Sequence, residues 1–263
     1  MDHLKINPIY TYHPELIELH KGNQKCEVIT NSNSILPIQK VYQIESAEAT
    51  PEKTVILPDV NCYVVYTKLL TGEVELFLVG PRTKAIEINR SERVETIIAK
   101  LSPSRIGLRK NLAIRQLVNT TYSIRSLLGN RAEKQLVKKI TDRRCQKKET
   151  PETNGFTFTS SYSRKNLDDH IKPYLEKNQI PTVNELARHL GISERYLRDL
   201  SYEQYGIPPK TVLKIKRLHR SLSTTAANRN YSQIALASGY YDQSHMISEY
   251  QFFIGKTPKQ LFG

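Results

Sequence analysis

Arg195 and Arg198 stand three positions apart in a stretch whose apolar residues, Leu197 and Leu200, keep helical spacing. With the leucines turned inward, both guanidinium groups point outward. A guanidinium projecting from a helix can make two hydrogen bonds to O6 and N7 of a guanine in a major groove. The same residues also permit a plainer outcome, in which the arginines pair with Glu194 or Asp199 or with phosphates. Further along, Met246 and Tyr250, with Phe253 one turn later, mark the inward face of a second stretch. Gln243, Ser244, His245 and Ser248 share its outward face. None of these is strongly cationic, and His245 suits a base, a phosphate or an ordinary solvated surface. Nucleophilic and metal chemistry find less support. Cys26, Cys62 and Cys145 are widely spaced, with no CxxC pair and no neighbouring histidine, so neither a zinc site nor an activated thiol is indicated.

The elements that must position these groups occur twice. The first copy runs from Thr182 through Leu186-Ala187 and Gly191-Ile192-Ser193 to Tyr196-Leu197-Arg198 and Gly206-Ile207-Pro208-Pro209. The second runs from Tyr231 through Ile234-Ala235 and Gly239-Tyr240 to Ser244-His245-Met246 and Gly255-Lys256-Thr257-Pro258. Each copy reads as a short helix, a glycine turn and a second helix, the helix-turn-helix that lays its second helix in a major groove. Thr182 and Glu185 have capping-box spacing. Gly191 sits where a left-handed residue would end a helix. Ser193 and Asp242 are expected to cap the two reading helices. Between the copies, Val212, Ile215, Leu218 and Leu222 predict one long connecting helix, with Lys214, Lys216, Arg217 and Arg220 around it. Such a connector would fix the separation of two reading helices, so that one chain reads successive grooves.

The rest of the chain differs in composition. Of 263 residues, 38% are hydrophobic and the formal charge is +13, a balance that favours a polyanionic partner. The charge is uneven: residues 1–100 hold 11 Lys/Arg against 13 Asp/Glu, residues 101–148 hold 13 against 2, and residues 161–263 hold 15 against 9. The acidic first part is therefore not expected to bind DNA. From Ile35 to Leu101 the signals are for short strands, including 54–57, 63–66, 74–79, 85–88 and 94–99, which suggests an antiparallel barrel or sandwich. From Pro103 the apolar residues Leu112, Leu117, Ile124, Leu127, Leu128, Leu136, Val137 and Ile140 repeat at helical spacing, broken at Gly129-Asn130. This basic helical face suits phosphate contacts or plain solvation, and its apolar face suits packing on its own domain or on a second subunit. The expected fold class is α+β and multidomain: a β-rich domain with following helices at 1–140, a linker at 141–163, and an all-α domain at 164–263. No signal peptide or membrane span is indicated, and the odd cysteine count suggests a reducing cytoplasm.

On the motifs quoted above, the segment from Leu167 to Phe262 resembles the DNA-binding domain of the AraC/XylS family of transcription regulators. Arg217-Leu218 and Gly239-Tyr240-Tyr241-Asp242-Gln243-Ser244-His245 also fit that pattern. The candidate DNA-binding set is Ser193, Arg195, Tyr196, Arg198, Asp199 and Lys210 in the first unit, and Gln243, Ser244, His245 and Ser248 in the second. Three positions depart from the family. Ser201 replaces a usual inward aromatic, and Asp199 and Ser248 replace basic or larger polar residues. The strand region is similar, more weakly, to the cupin-like barrels that accompany some members, on Ile56-Leu57-Pro58-Asp59, Leu78-Val79-Gly80-Pro81-Arg82-Thr83 and Leu101-Ser102-Pro103. It has no histidine between Ile35 and Leu101, which argues against a metal-dependent cupin. The resemblance implies a bacterial, non-enzymatic regulator, an activator by expectation, with operator DNA as partner and no metal or cofactor. RNA polymerase, a small effector and a second copy of the chain are its further candidate partners. Two other classes fit less well: a DNA-repair alkyltransferase fused to such a reader, which needs a cysteine in a compact motif, and a non-specific nucleic-acid binder, for which a duplicated reading unit is superfluous.

Overall fold

The computed structural model describes residues 26–29, 38–45, 53–89, 93–101, 113–141, 180–225 and 230–262, together with Leu167, His170, Ile171, Tyr174 and Leu175. Strands β1 (Cys26–Ile29), β2 (Ile38–Glu45), β7 (Arg93–Leu101), β4 (Cys62–Leu69), β5 (Val74–Val79) and β8 (Thr121–Ser123) lie side by side in that order as one six-stranded sheet. All its pairings are antiparallel. Strands β3 (Lys53–Ile56) and β6 (Ile86–Asn89) form a separate pair. The cupin-like barrel expected from the sequence is thus not closed: the described strands make an open sheet and a ribbon.

Side chains alternate across the central strand β4. Cys62, Val64 and Tyr66 enter a core with Leu76, Leu78, Ile97 and Leu101, while Tyr63 packs with Val79 and Ile98. Helices α1 (Ile114–Leu117), α2 (Ile124–Leu128) and α3 (Asn130–Thr141) follow, with α2 ending at Gly129 as its position suggested. Leu117, Ile124 and Leu136 are buried in the sheet's own core, and Leu127, Leu128, Val137 and Ile140 pack against it. Of the two placements open for this apolar face, the chain uses its own domain. Arg125 Nε donates to Glu133 Oε2 at 2.6 Å, tying α2 to α3. One part of the predicted helical run is extended instead. Asn119 adopts φ of 59°, the chain reverses, and Thr121-Tyr122-Ser123 pairs with β5. β-branched and aromatic residues favour that outcome once an edge is within reach.

The remaining elements are α4 (Val183–His189), α5 (Glu194–Tyr205), α6 (Pro209–Thr225), α7 (Tyr231–Ser238), α8 (Gln243–Ile254) and α9 (Pro258–Phe262). Their core contains all four predicted connector residues, Val212, Ile215, Leu218 and Leu222, with Leu186, Leu197, Ile234, Met246, Tyr250 and Phe253. Val55, Leu57 and Val60 from the strand domain belong to the same core. The linker expected at 141–163 lies outside the described residues except Thr141.

Candidate nucleic-acid interface

The first unit is α4 and α5. Thr182 caps α4: its hydroxyl accepts from Glu185 N–H at 3.2 Å, and its own N–H donates to Glu185 Oε2 at 2.7 Å. The bond from the Thr182 N–H, and then the Thr182 hydroxyl's donation to Glu185 Oε2 at 2.9 Å, hold the Glu185 carboxyl below its ordinary value. Gly191 and Gly239 end α4 and α7 with φ of 64° and 87°, the left-handed region that a side chain resists. Ser193 Oγ accepts from Tyr196 N–H at 3.1 Å and starts α5. Leu197 and Leu200 are buried. Arg195, Tyr196, Arg198 and Asp199 are exposed, as is Lys210 at the start of α6. Among the described residues neither arginine has a carboxylate partner. Glu194 instead accepts from Asn184 Nδ2 at 2.8 Å. Ser201 is buried, and its hydroxyl donates to the Ile207 carbonyl at 2.7 Å, so the missing aromatic leaves no stranded polar group.

The second unit repeats the frame. Asp242 Oδ1 accepts from His245 N–H at 2.7 Å and starts α8. The second helices of the two units, α5 and α8, are both 12 residues long, and both end at a left-handed glycine, Gly206 and Gly255. Ser244 and Ser248 are exposed. Gln243 is half-buried and accepts from Ser232 Oγ at 2.9 Å. His245 is half-buried too: its Nδ1 accepts from Tyr241 N–H at 3.4 Å, and its Nε2 lies 3.6 Å from Glu249. These two side chains are therefore partly engaged within the unit.

Several contacts are not visible in the sequence. Glu249 is an inward carboxylate on α8, 4% exposed, held by Arg217 of α6 through bonds of 2.7 and 3.3 Å. Its signal was position, since residue 249 falls on the face already marked by 246, 250 and 253. The strand domain also meets both units. His219 Nε2 lies 2.6 Å from the Pro58 carbonyl, Ala85 N–H donates to the Phe253 carbonyl at 2.8 Å, and Lys84 sits 3.3 Å from the centre of the Phe252 ring. At the first unit, a Cβ on Gly206 would fall 2.7 Å from Arg115 Cα of α1.

Outside these units, Cys62 is fully enclosed, and burial, aided by the charge of Asp59, pushes its thiol up to about 12. It is protonated at neutral pH. The side chain of Cys26 and all of Cys145 lie outside the described residues. No group of three or more His, Cys, Asp or Glu among the described residues is placed to hold a metal ion. None of the described helices is long and apolar enough to cross a membrane.

Residues 186–263 match a protein family described as a helix-turn-helix domain. No curated protein matches the chain. Among solved structures, the C-terminal domain of the two-component response regulator yesN from Fusobacterium nucleatum is 26% identical, covering 38% of this chain and 100% of that one at a TM-score of 0.34. ToxT from Vibrio cholerae, solved with an unsaturated fatty acid bound, is 13% identical, covering 92% of this chain and 97% of that one at a TM-score of 0.42. The apo form of a singly substituted ToxT from the same organism is 9% identical at a TM-score of 0.44, covering 89% of this chain and 100% of that one. The C-terminal region, residues 186–263, is a helix-turn-helix domain.

Proposed function

We propose that this chain is an AraC-type, sequence-specific DNA-binding regulator of transcription that reads two successive major grooves with its own α5 and α8. The observation that carries this is the matched frame: two 12-residue helices, each begun by a side-chain cap and ended by a left-handed glycine, on either side of the 17-residue α6. At 1.5 Å per residue, α6 spans about 26 Å, on the scale of the roughly 34 Å turn of DNA. In the first unit Arg195 and Arg198 are the base-reading groups. Ser193, Tyr196, Asp199 and Lys210 flank them at the edges of the groove. In the second unit Ser244 and Ser248 face the groove directly, with Gln243 and His245 contributing the atoms their internal bonds leave available. The test is a duplex selected by the full-length protein from a random-sequence pool. Scrambling either of two half-sites should weaken binding, and indifference to both would refute the reading.

Control is assigned to the strand domain with its basic helices. The contact of α1 with the end of α5, and of Lys84 and Ala85 with the end of α8, supports this. A small effector in that domain, or a second copy of the chain, would act by shifting the arrangement of the two units, and so their presentation to operator and RNA polymerase. Because Leu117, Ile124 and Leu136 already pack within the domain, dimerisation would need another surface. Sedimentation of the full-length chain with and without the selected duplex tests it: a monomer throughout would remove dimerisation from the scheme.

A further inference from the structure

Resting on the reading of α8 as a groove-reading helix, we propose that Arg217 is the positioning residue of the second unit. Its guanidinium lies at the junction of the three helices that define that unit. The Nε and Nη2 groups fork onto the two oxygens of Glu249 in the middle of α8, at 3.3 and 2.7 Å. Nη1 donates to the Gly239 carbonyl, where α7 turns toward α8, at 3.2 Å. The plane of the same group lies 4.8 Å from the centre of the Tyr240 ring. Arg217 itself sits on the connector α6. One rigid side chain therefore sets α7, the turn and α8 against the connector together.

The chemistry suits positioning. Glu249 and Arg217 side chains are 6% and 16% exposed, so their pairing is largely shielded from water. A planar fork on a carboxylate fixes direction as well as distance, which a lysine cannot do. Lys214 provides the contrast: it reaches the same oxygen at 3.2 Å through a single contact and is 36% exposed. The carboxylate also borders the outward face, because His245 Nε2 is 3.6 Å from it. A shift of Glu249 would carry His245 with it. Among the described residues the first unit shows no such device. Counting from the caps Ser193 and Asp242, Leu200 occupies the place of Glu249, and Leu200 is buried among apolar residues.

The experiment compares wild type with Arg217→Lys and with the double variant Arg217→Met/Glu249→Leu, which gives the second unit the residue the first unit uses. Replacing a buried pair by apolar residues of similar size commonly preserves stability, and the fold is checked by cooperative thermal unfolding. The probes are the duplex selected by wild type and a derivative with the second unit's half-site scrambled. That half-site is the one whose protection survives in Arg198→Ala. The folded double variant should bind the selected duplex on the order of tenfold more weakly, the worth of one or two base contacts. It should bind the scrambled derivative as wild type does. Arg217→Lys should fall between, and it remains the test if the double variant does not fold. Wild-type affinity in a folded variant overturns the proposal. So does an equal loss on both duplexes, which would mean general damage. If wild type itself ignores the scrambling, α8 is not a reader, and the reading beneath the proposal fails with it.

Discussion

Where α5 buries Leu200 among apolar side chains, α8 buries Glu249 under Arg217. The two helices have the same length, the same type of cap and the same type of terminating glycine. They differ in where their charge goes. In the first unit the frame is apolar, and the arginines of the reading helix point outward with no carboxylate partner among the described residues. In the second unit the strongest ionic contact is inside the frame, and the outward residues Gln243, Ser244, His245 and Ser248 include no lysine or arginine. A helix-turn-helix unit can thus keep its geometry by packing and present cations outward, or keep it by an ion pair and present weaker polar groups. The two units are not interchangeable copies.

The largest expected effect follows from the buried pair. Arg217→Ala leaves a carboxylate that is 4% exposed without its main partner, and should cost about 3–5 kcal/mol in denaturant unfolding of the full chain. Arg217→Met/Glu249→Leu should recover most of that. A cost below about 1 kcal/mol for the single change, the scale of a surface pair, would erase the distinction between the units.

The paired glycines sharpen it next. Gly206 and Gly255 both have positive φ, 70° and 78°. A Cβ on Gly255 meets open space, while one on Gly206 meets the Arg115 backbone at 2.7 Å. Gly255→Ala should cost about 1 kcal/mol of backbone strain. Gly206→Ala should cost more, and limited proteolysis should find α1 loosened. Equal costs would mean that α1 does not bear on the first unit.

Arg198→Ala should cost about 1–3 kcal/mol of discrimination at a base pair in the first unit's half-site, leaving preferences in the other half-site unchanged. Titration of the selected duplex and its single-base variants measures this. A uniform loss across all sequences would reassign Arg198 to phosphate.

The smallest effect is at the first unit's entrance. Thr182→Ala should cost about 0.5–2 kcal/mol. The Glu185 carboxyl is lowered from 4.5 chiefly by the Thr182 backbone N–H and then by its hydroxyl. A lowered carboxylate contributes stability above its unfolded value, and that contribution is lost as pH falls through the lowered folded value. Unfolding experiments at neutral and acid pH should therefore show wild type and Thr182→Ala converging as the carboxyl protonates. A gap that widens toward acid would contradict the capping box.

The units were legible because their signals are local. Caps at Thr182, Ser193 and Asp242 and inward residues such as Leu197, Met246 and Tyr250 depend on spacing within one helix. Glu249 was missed because only apolar residues were read as inward, and the partner that makes a buried carboxylate tolerable lies 32 positions away. Arg217 was legible as basic but not as inward. The strand at Thr121–Ser123 lay hidden in a helical run, since its pairing needs β5. Closure of the sheet was likewise unreadable. An apolar strand face such as that of Val55 and Leu57 announces burial but not the partner, here the core of the helical domain.

The most direct test of two-groove reading by one chain is a hydroxyl-radical footprint of the full-length protein on its selected duplex, with stoichiometry measured on the same complex. Two protected windows about one helical turn apart on one face of the DNA are expected, at one chain per site. A single window, or two windows that require two chains, would contradict two-groove reading by one chain.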